Sequence, residues 1–190
     1  MKGSFHRRLS LAALMLSVFL FACSTNEQES IEENQQTAAV FEVEIIATGA
    51  NIAGANGLAI GPDGNLYVTS VLGSSISVID PETGEILKTL NAEDGVIGPD
   101  DVDFFKDGSY YWTSIMTGEV AGFDAEGNRV VAAQLTPGVN PITFSNDGRL
   151  FVSQCFFGTN LYEIDPNGKQ EARLISDKLC LLYTSDAADE

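Results

Sequence analysis

One pattern of apolar and polar residues recurs three times along this chain, at intervals of roughly forty residues. In each copy an Asp-Gly pair precedes a short apolar and aromatic stretch. The glycines of these pairs are Gly64, Gly108 and Gly148. A second marker keeps the same spacing, an aspartate that follows isoleucine or phenylalanine, at Asp80, Asp124 and Asp165. Because two independent markers share one period, the chain is predicted to consist of structural repeats.

Each repeat divides into four short segments rich in Val, Ile, Tyr, Phe and Thr, residues that favour β-strands. In the first repeat the segments are Leu58–Ile60, Leu66–Ser70, Ile76–Asp80 and Ile86–Leu90. Pro-Asp-Gly-Asn and Pro-Glu-Thr-Gly stand at the joints and predict tight turns. Four strands in roughly forty residues are typical of one blade of a β-propeller. The predicted fold class is all-β, a propeller fragment of three four-stranded blades.

The predicted partial propeller occupies residues 41–178 and opens with a further strand, Phe41–Thr48. Such a leading strand commonly completes the last blade when a propeller ring closes. A ring has at least about four blades, so three blades leave the apolar faces of the first and last ones without a partner. We expect the three blades alone to be insoluble or unstable.

The N-terminus carries a basic segment followed by an apolar run, Leu9–Phe21. The run is too short to span a bilayer, which takes about 20 residues, so residues 1–22 are predicted to be a secretory signal peptide. Leu20-Phe21-Ala22-Cys23 resembles the lipobox of bacterial lipoproteins, which implies cleavage before Cys23 and its lipidation. The alternative is an ordinary signal peptide beside a chance cysteine. Lipidation would make the membrane a partner of the chain.

Residues 23–40 are rich in Glu, Gln and Asn and almost free of large apolar side chains, which predicts a disordered tether. Ser24 stands where an aspartate often retains lipoproteins at the inner membrane. The predicted location is therefore the cell envelope, exported and lipid-anchored, with the outer membrane or periplasmic side favoured.

Residues 179–190 interrupt the repeat pattern and resemble a translated sequencing adapter. We expect them to be a non-native tail, with a genuine short C-terminal tail as the alternative. With Cys23 assigned to lipid and Cys180 to this tail, Cys155 remains alone, so no internal disulfide is predicted.

Charge and histidine content exclude several functions. The formal net charge is −17, which repels phosphate backbones, so nucleic acid is not expected as a partner. The one histidine, His6, lies in the predicted signal peptide. A Ser-His-Asp triad, a histidine zinc site and a histidine general base are therefore not predicted in the blades.

Three polar residues occupy one repeat position, seven residues before the aspartate of each Asp-Gly turn: Asn56, Asp100 and Asn140. This position opens the innermost strand of each blade, so ring closure would gather the three at one end of a central channel. Their oxygens suit a hard cation such as calcium, which can polarise a carbonyl or phosphoryl oxygen. The alternative is that short polar residues only cap strand starts and turns.

Other candidate features have simpler explanations. The Asp-Gly pairs lack the ligand spacing of a calcium loop and predict hairpin turns. Trp112 is expected in the core between blades. The loop Gln154–Gly158 is expected at the same end as the three polar residues, where its two phenylalanines either wall a ligand pocket or pack beneath the loop.

In each repeat a short polar motif precedes the Asp-Gly turn and an aromatic strand. These motifs are Asn56-Gly57-Leu58, Gly98-Pro99-Asp100-Asp101 and Asn140-Pro141. This arrangement resembles the senescence marker protein/gluconolactonase family over roughly residues 41–174. The resemblance implies a six-bladed ring, hydrolysis of a small lactone or ester, and one divalent cation, calcium or another. It also implies that Asp100 or Asp101 and Asn140 are cation ligands, with Asn56 standing where the family has glutamate.

A second resemblance is local. Two segments of the first repeat are similar to the YVTN repeat of exported propellers: Leu66-Tyr-Val-Thr-Ser and Ile76-Ser-Val-Ile-Asp-Pro-Glu-Thr-Gly. NHL-type binding propellers fit the same pattern. These families imply a non-catalytic propeller that binds a glycan, a peptide or an envelope protein. The leading hypothesis is an envelope-anchored, cation-dependent lactone or ester hydrolase, and the binding propeller is the alternative.

Overall fold

A computed structural model of the 190-residue chain describes residues 42–179. The predicted signal peptide, Cys23, the tether, Phe41 and residues 180–190 lie outside the described residues. The chain divides after Glu42 into two compact units, and all of the described strands belong to the second, residues 43–190.

Three four-stranded antiparallel sheets make up the described structure, and in each the strand order follows the chain. Blade 1 contains β1 (Ala55–Ile60), β2 (Leu66–Ser70), β3 (Ser75–Ile79) and β4 (Ile86–Leu90). Blade 2 contains β5 (Pro99–Phe104), β6 (Tyr110–Ser114), β7 (Glu119–Phe123) and β8 (Arg129–Gln134). Blade 3 contains β9 (Val139–Phe144), β10 (Leu150–Gln154), β11 (Leu161–Ile164) and β12 (Arg173–Ser176). Short 3-10 turns, Ala50–Ile52 and Ala92–Asp94, precede β1 and β5, and residues 42–179 contain no α-helix. The predicted all-β blades are confirmed.

The turns between the first two strands of each blade use the predicted Asp-Gly pairs. Their glycines, Gly64, Gly108 and Gly148, have φ angles of 82°, 94° and 88°, which favour glycine. In the first of these turns Asp63 Oδ1 accepts a hydrogen bond from the Asn65 backbone N–H at 3.1 Å. The aspartate therefore stabilises its own turn, as the hairpin interpretation predicts.

The core lies between neighbouring blades. Trp112 of blade 2 has no exposed surface and packs with Ile76 and Leu90 of blade 1, which confirms its predicted place. A second cluster joins blade 2 to blade 3, where Val120 packs with Leu150. Because the apolar faces meet in this way, each blade is stabilised chiefly by its neighbours.

The innermost strands β1, β5 and β9 lie next to one another. Side chains as well as apolar packing hold β5 against β9. Asp103 Oδ2 accepts a hydrogen bond from the Phe144 backbone N–H at 2.7 Å, while its Oδ1 accepts one from Phe104 N–H at 2.8 Å. The carboxylate thus bridges two blades at the end of the inner strands that lies opposite their entrances.

The predicted leading strand Phe41–Thr48 is not observed. Residues 42–48 have no strand conformation, and Val43 and Ile45 are 94% and 80% exposed. A strand requires a neighbour to complete its hydrogen-bond ladder, and no described strand pairs with this segment. The segment 42–48 therefore has no strand partner among the described residues.

Candidate functional site

The entrances of the three inner strands form one end of the blades, called the mouth here. Asn56, Asp100 and Asn140 each occupy the second position of their inner strand. Antiparallel pairing brings the end of the next strand to the same place. The pairs at the mouth are Ala55–Ser70, Pro99–Ser114 and Val139–Gln154. The repeat position identified in the sequence therefore corresponds to one structural position in all three blades.

Asp100 is the most unusual residue of the mouth because it is a carboxylate that is only 3% exposed. Its Oδ1 accepts a hydrogen bond from Asn56 Nδ2 at 2.6 Å. Its Oδ2 is buried and has no hydrogen-bond partner among the residues that the structure describes. Burial raises the pKa of the Asp100 carboxyl above its usual value, and the hydrogen bond from Asn56 opposes this. One oxygen of the carboxylate is thus enclosed without a partner among the described residues.

The backbone at Asp100 is held by the neighbouring blade. Thr69 Oγ1 donates a hydrogen bond to the Asp100 carbonyl oxygen at 2.5 Å and accepts one from Gly57 N–H at 2.9 Å. A Cβ atom on Gly57 would lie 2.6 Å from the Asp101 Cα atom. Blades 1 and 2 can approach this closely only because residue 57 is glycine. The close approach is what brings Asn56 within hydrogen-bond distance of Asp100.

Asn140 and Cys155 complete the mouth cluster. Cys155 is the residue directly after β10; it carries a free thiol and is 6% exposed. Burial and the nearby charge of Asp100 raise the pKa of this thiol, while a hydrogen bond from the Asn140 side chain lowers it. Asp100 and Asn140 therefore both influence the protonation of the thiol. We define the mouth cluster as Asn56, Asp100, Asn140 and Cys155.

Sequence reasoning missed Cys155 as a member of this cluster. A usable signal was present, because the loop Gln154–Gly158, which contains Cys155, was expected at the same end of the blades as Asn140. The sequence analysis assigned a possible ligand contact only to the two phenylalanines of this loop and none to the thiol.

Asp101 has a different environment from Asp100. Its Oδ2 accepts a hydrogen bond from Ile142 N–H and its Oδ1 accepts one from Val102 N–H, both at 3.0 Å. Burial raises the pKa of the Asp101 carboxyl, these two hydrogen bonds lower it, and the charges of Asp100 and Asp103 raise it. Both oxygens already have backbone donors, so Asp101 joins β5 to β9.

The donor set of the mouth cluster is mostly oxygen. Within residues 42–179, no group of three or more His, Cys, Asp or Glu side chains is arranged to hold a metal. A cation at the mouth would therefore need the amide oxygens of Asn56 and Asn140 in addition to Asp100 Oδ2. Carboxylate and amide oxygens are ligands that calcium accepts, so the donors fit a hard divalent ion.

The loop after β10 places two aromatic rings near the mouth. Phe157 is 93% exposed and has a φ of 61°, a left-handed conformation that is unusual for a phenylalanine. Phe156 is 41% exposed, and the ring centroids of the two lie 6.4 Å apart. Phe157 does not pack beneath the loop, so its ring is accessible to a ligand.

A cavity of about 340 Å³ lies at the opposite end of the inner strands. Phe104, Phe105 and Phe144 contribute to its lining, Lys106 supplies a positive charge, and no carboxylate lines it. This composition is unsuited to a cation.

Comparison with solved structures identifies the architecture. A chain of the nidogen/laminin complex matches with a TM-score of 0.55 and 18% identity, over 67% of this chain and 49% of that one. The fold is that of a β-propeller. Hydrazine synthase from Kuenenia stuttgartiensis matches with a TM-score of 0.51 and 19% identity, over 66% of this chain and 38% of that one. Virginiamycin B lyase from Staphylococcus aureus matches with a TM-score of 0.49 and 19% identity, over 57% and 37%.

The chain spans less than half the length of each of these three propellers. At such identities the similarity establishes the fold alone. Comparison with protein-family profiles and with curated proteins finds no match. In the described part of the chain, no helix has the length and apolar character needed to cross a bilayer.

Proposed function

We propose that the mouth binds one divalent cation, calcium or another hard ion, through Asp100. The observation that supports this most directly is the buried Asp100 Oδ2 without a hydrogen-bond partner among the described residues. A buried carboxylate is costly unless it is paired or bound to a cation. Asn56 uses its amide nitrogen to contact Asp100, so its carbonyl oxygen remains for the ion. Asn140 supplies a third oxygen from blade 3.

Asp101 is assigned a positioning role in this proposal rather than a place among the ligands. Its two hydrogen bonds to backbone N–H groups hold β5 against β9, which carry Asp100 and Asn140 at their entrances. Asp101 therefore keeps β5 and β9 at the distance that allows Asp100 and Asn140 to bind the same cation.

We infer that the bound cation serves hydrolysis of a small lactone or ester. A cation there would polarise the carbonyl oxygen of such a substrate. Asp100 contributes the negative charge that retains the ion, and Asn56 orients that carboxylate through its hydrogen bond. The proposal combines this arrangement with the resemblance of the strand openings to the gluconolactonase family.

Cation binding is tested by thermal unfolding of the full chain with and without calcium. Calcium should raise the Tm, since a ligand of the folded state stabilises it. Asp100→Asn should remove this increase. Asp107→Asn is the matched control, because it removes the same charge from the turn of the same blade and should retain the increase. If no divalent ion raises the Tm of the unsubstituted chain, the cation proposal is wrong.

Hydrolysis is tested separately, by following acid release from a panel of lactones and aryl esters at saturating calcium. The proposal expects turnover that Asp100→Asn abolishes and Asp107→Asn retains. Calcium binding without turnover of any compound in the panel would reject the hydrolase and leave a cation-binding propeller.

Anchoring to the cell envelope is the remaining element of the proposal, and it depends on Cys23 and the lipobox-like residues before it. In a bacterial host, metabolic labelling with a fatty-acid analogue should label the chain and place it in the membrane fraction. Cys23→Ser should lose both, whereas Cys155→Ser should retain both. Labelling that persists in Cys23→Ser would contradict the lipoprotein assignment.

A second candidate, a non-catalytic propeller that binds a glycan or peptide, is favoured by the exposed Phe157 ring. Exposed aromatic groups are frequent in recognition surfaces. Screening the chain against arrays of glycans and peptides should then identify a ligand whose binding Phe157→Ala weakens and Asp100→Asn does not. A ligand that is insensitive to Phe157→Ala would remove the support for this candidate.

A further inference from the structure

The cavity of about 340 Å³ opposite the mouth is built from one repeat position in all three blades. Each blade contributes the last residue of its inner strand and the two residues that follow it. These stretches are Ile60-Gly61-Pro62, Phe104-Phe105-Lys106 and Phe144-Ser145-Asn146. The volume lies near the lower limit of small-molecule sites, which measure roughly 300–1,000 Å³. The cavity is therefore large enough for a single ring with a short side chain.

Aromatic side chains form most of the apolar wall of this cavity. The ring centroids of Phe105 and Phe144 lie 5.3 Å apart. A Cβ atom on Gly148 would lie 2.8 Å from Cζ of Phe105, so the turn between β9 and β10 lies directly against the edge of this ring. Phe104, the third ring, packs edge-to-face against Tyr67, with centroids 4.7 Å apart. These contacts hold the three rings in place in the absence of a ligand.

The one charged side chain among the described residues that line the cavity is Lys106. Its Nζ atom donates a hydrogen bond to the Asn146 carbonyl oxygen at 3.4 Å and lies 5.3 Å from the centroid of the Phe105 ring. Within residues 42–179, Lys106 forms no ion pair. Because an ammonium group has three N–H donors, this side chain can still bind an anionic group.

The aspartates of the neighbouring turns do not neutralise this lysine through an ion pair. None of them lines the cavity, and each accepts a hydrogen bond within its own turn: Asp63 from Asn65 N–H, Asp107 from Ser109 N–H and Asp147 from Ser145 Oγ. The positive charge at the cavity wall therefore belongs to Lys106 and faces an aromatic surface.

We propose that this cavity binds a small organic monocarboxylate with an aromatic body, and that Lys106 Nζ contacts its carboxylate group. The three rings bury the apolar body of the ligand, and aromatic rings pack favourably against one another. An amine of the same shape would meet Lys106 as a like charge, so it binds more weakly. This inference goes beyond the proposed cation site and is independent of it, since the cavity lies at the other end of the inner strands.

Three probes of nearly equal shape test the charge requirement: 3-phenylpropionate, 3-phenylpropionamide and 3-phenylpropylamine. Ligand-observed NMR titration of the full chain at low ionic strength should rank the carboxylate tightest, the amide next and the amine weakest. Lys106→Gln should weaken binding of the carboxylate by up to about fivefold, as for a solvent-exposed ion pair, and leave binding of the amide unchanged. Lys88→Gln, the matched control, removes the same charge from the outer strand β4 and should change neither.

Further variants separate the cavity from the mouth and from unfolding. Phe105→Leu should weaken the carboxylate and the amide alike, because it removes an aromatic contact and keeps the charge. Asp100→Asn should change neither, so failure at this cavity is distinguishable from failure at the mouth. Lys106 is exposed, so Lys106→Gln should keep the urea midpoint of the unsubstituted chain. No binding of the carboxylate, equal affinity for the carboxylate and the amine, or equal losses in Lys106→Gln and Lys88→Gln would each overturn the proposal.

Discussion

Leu58, Val102 and Ile142 hold the same repeat position in three blades, yet their environments differ sharply. Val102 and Ile142 are each 4% exposed, whereas Leu58 is 61% exposed. Val102 packs in the core between blades 1 and 2, and Ile142 packs in the core between blades 2 and 3. Leu58 belongs to blade 1, which has no preceding blade among the described residues. The preceding blade, rather than the sheet that contains the residue, therefore determines burial at this position.

The same contrast recurs further along the inner strand. Phe104 of blade 2 packs edge-to-face against Tyr67 of blade 1, with ring centroids 4.7 Å apart. Ile60 occupies the equivalent position in blade 1 and is 69% exposed. Blade 1 thus presents apolar side chains suited to a neighbour that the described residues do not supply. Stability should accordingly depend on the two interfaces and only weakly on this open face.

Trp112→Ala should cause the largest loss of stability, because Trp112 is fully buried in the first interface. Truncation of a buried tryptophan costs about 3–5 kcal/mol in the free energy of unfolding. Urea denaturation of the full chain measures the loss. Trp112→Phe should cost clearly less, since it keeps an aromatic ring and removes an indole N–H that has no described partner. Equal midpoints for Trp112→Ala and the unsubstituted chain would contradict the importance of this interface.

Ile142→Ala and Leu58→Ala test the comparison most directly, since they truncate one repeat position in two environments. Ile142→Ala should lower the free energy of unfolding by about 2–5 kcal/mol, the usual cost at a buried site. Leu58→Ala should change it by no more than about 0.5 kcal/mol, as at an exposed site. Denaturant midpoints of the two variants provide the measurement. Similar losses in both would show that the Leu58 face is covered in solution.

Asp101→Ala examines a difference between the two interfaces. Asp101 connects blade 2 to blade 3 through Ile142 N–H, whereas blade 1 has Gly57 at the equivalent position and makes no such bond. Removal of the carboxylate leaves a backbone donor without its acceptor, which costs about 1–3 kcal/mol. Chemical denaturation should show this loss. Asp101→Asn keeps one acceptor oxygen and should cost less, so a larger loss for Asn than for Ala would disprove the bridging role.

The internal repeat allowed much of the fold to be predicted. Leu66–Ser70 and Ile86–Leu90 are strands with the predicted bounds, and Trp112 lies in the predicted interface. The inner strand begins at Ala55 rather than Leu58, because the pairing of β1 with β2 shifts register between these residues. A register shift depends on the geometry of two paired strands, which local composition does not specify.

The mouth was less predictable than the blades. The repeat placed Asn56, Asp100 and Asn140 at equivalent positions, but their side-chain environments depend on contacts between different blades. One oxygen of Asp100 has no partner among the described residues, while the adjacent Asp101 has two backbone donors. Cys155 belongs to the cluster only because β10 ends beside the entrance of β9. The spacing of repeats along the chain does not specify the distances between side chains of neighbouring blades. These contacts could therefore be identified only in the three-dimensional structure.

The smallest expected effect concerns charges within one blade rather than between blades. Glu163 accepts hydrogen bonds from Arg149 Nε at 2.9 Å and from Arg173, and these pairs lower the pKa of Glu163 from its usual 4.5 to about 2. The stabilising contribution is therefore complete above about pH 4.5 and is lost as pH falls through about 2. Melting curves over this range should show a shallower pH dependence for Glu163→Gln than for the unsubstituted chain, and added salt should reduce the difference. Glu126→Gln removes the same charge from a turn of blade 2 and is the matched control for the loss of one carboxylate. Glu163→Gln could instead lower the free energy of unfolding as much as Ile142→Ala does. In that case ion pairs within a blade would contribute as much stability as packing between blades, which would contradict the interpretation of the difference between Leu58 and Ile142.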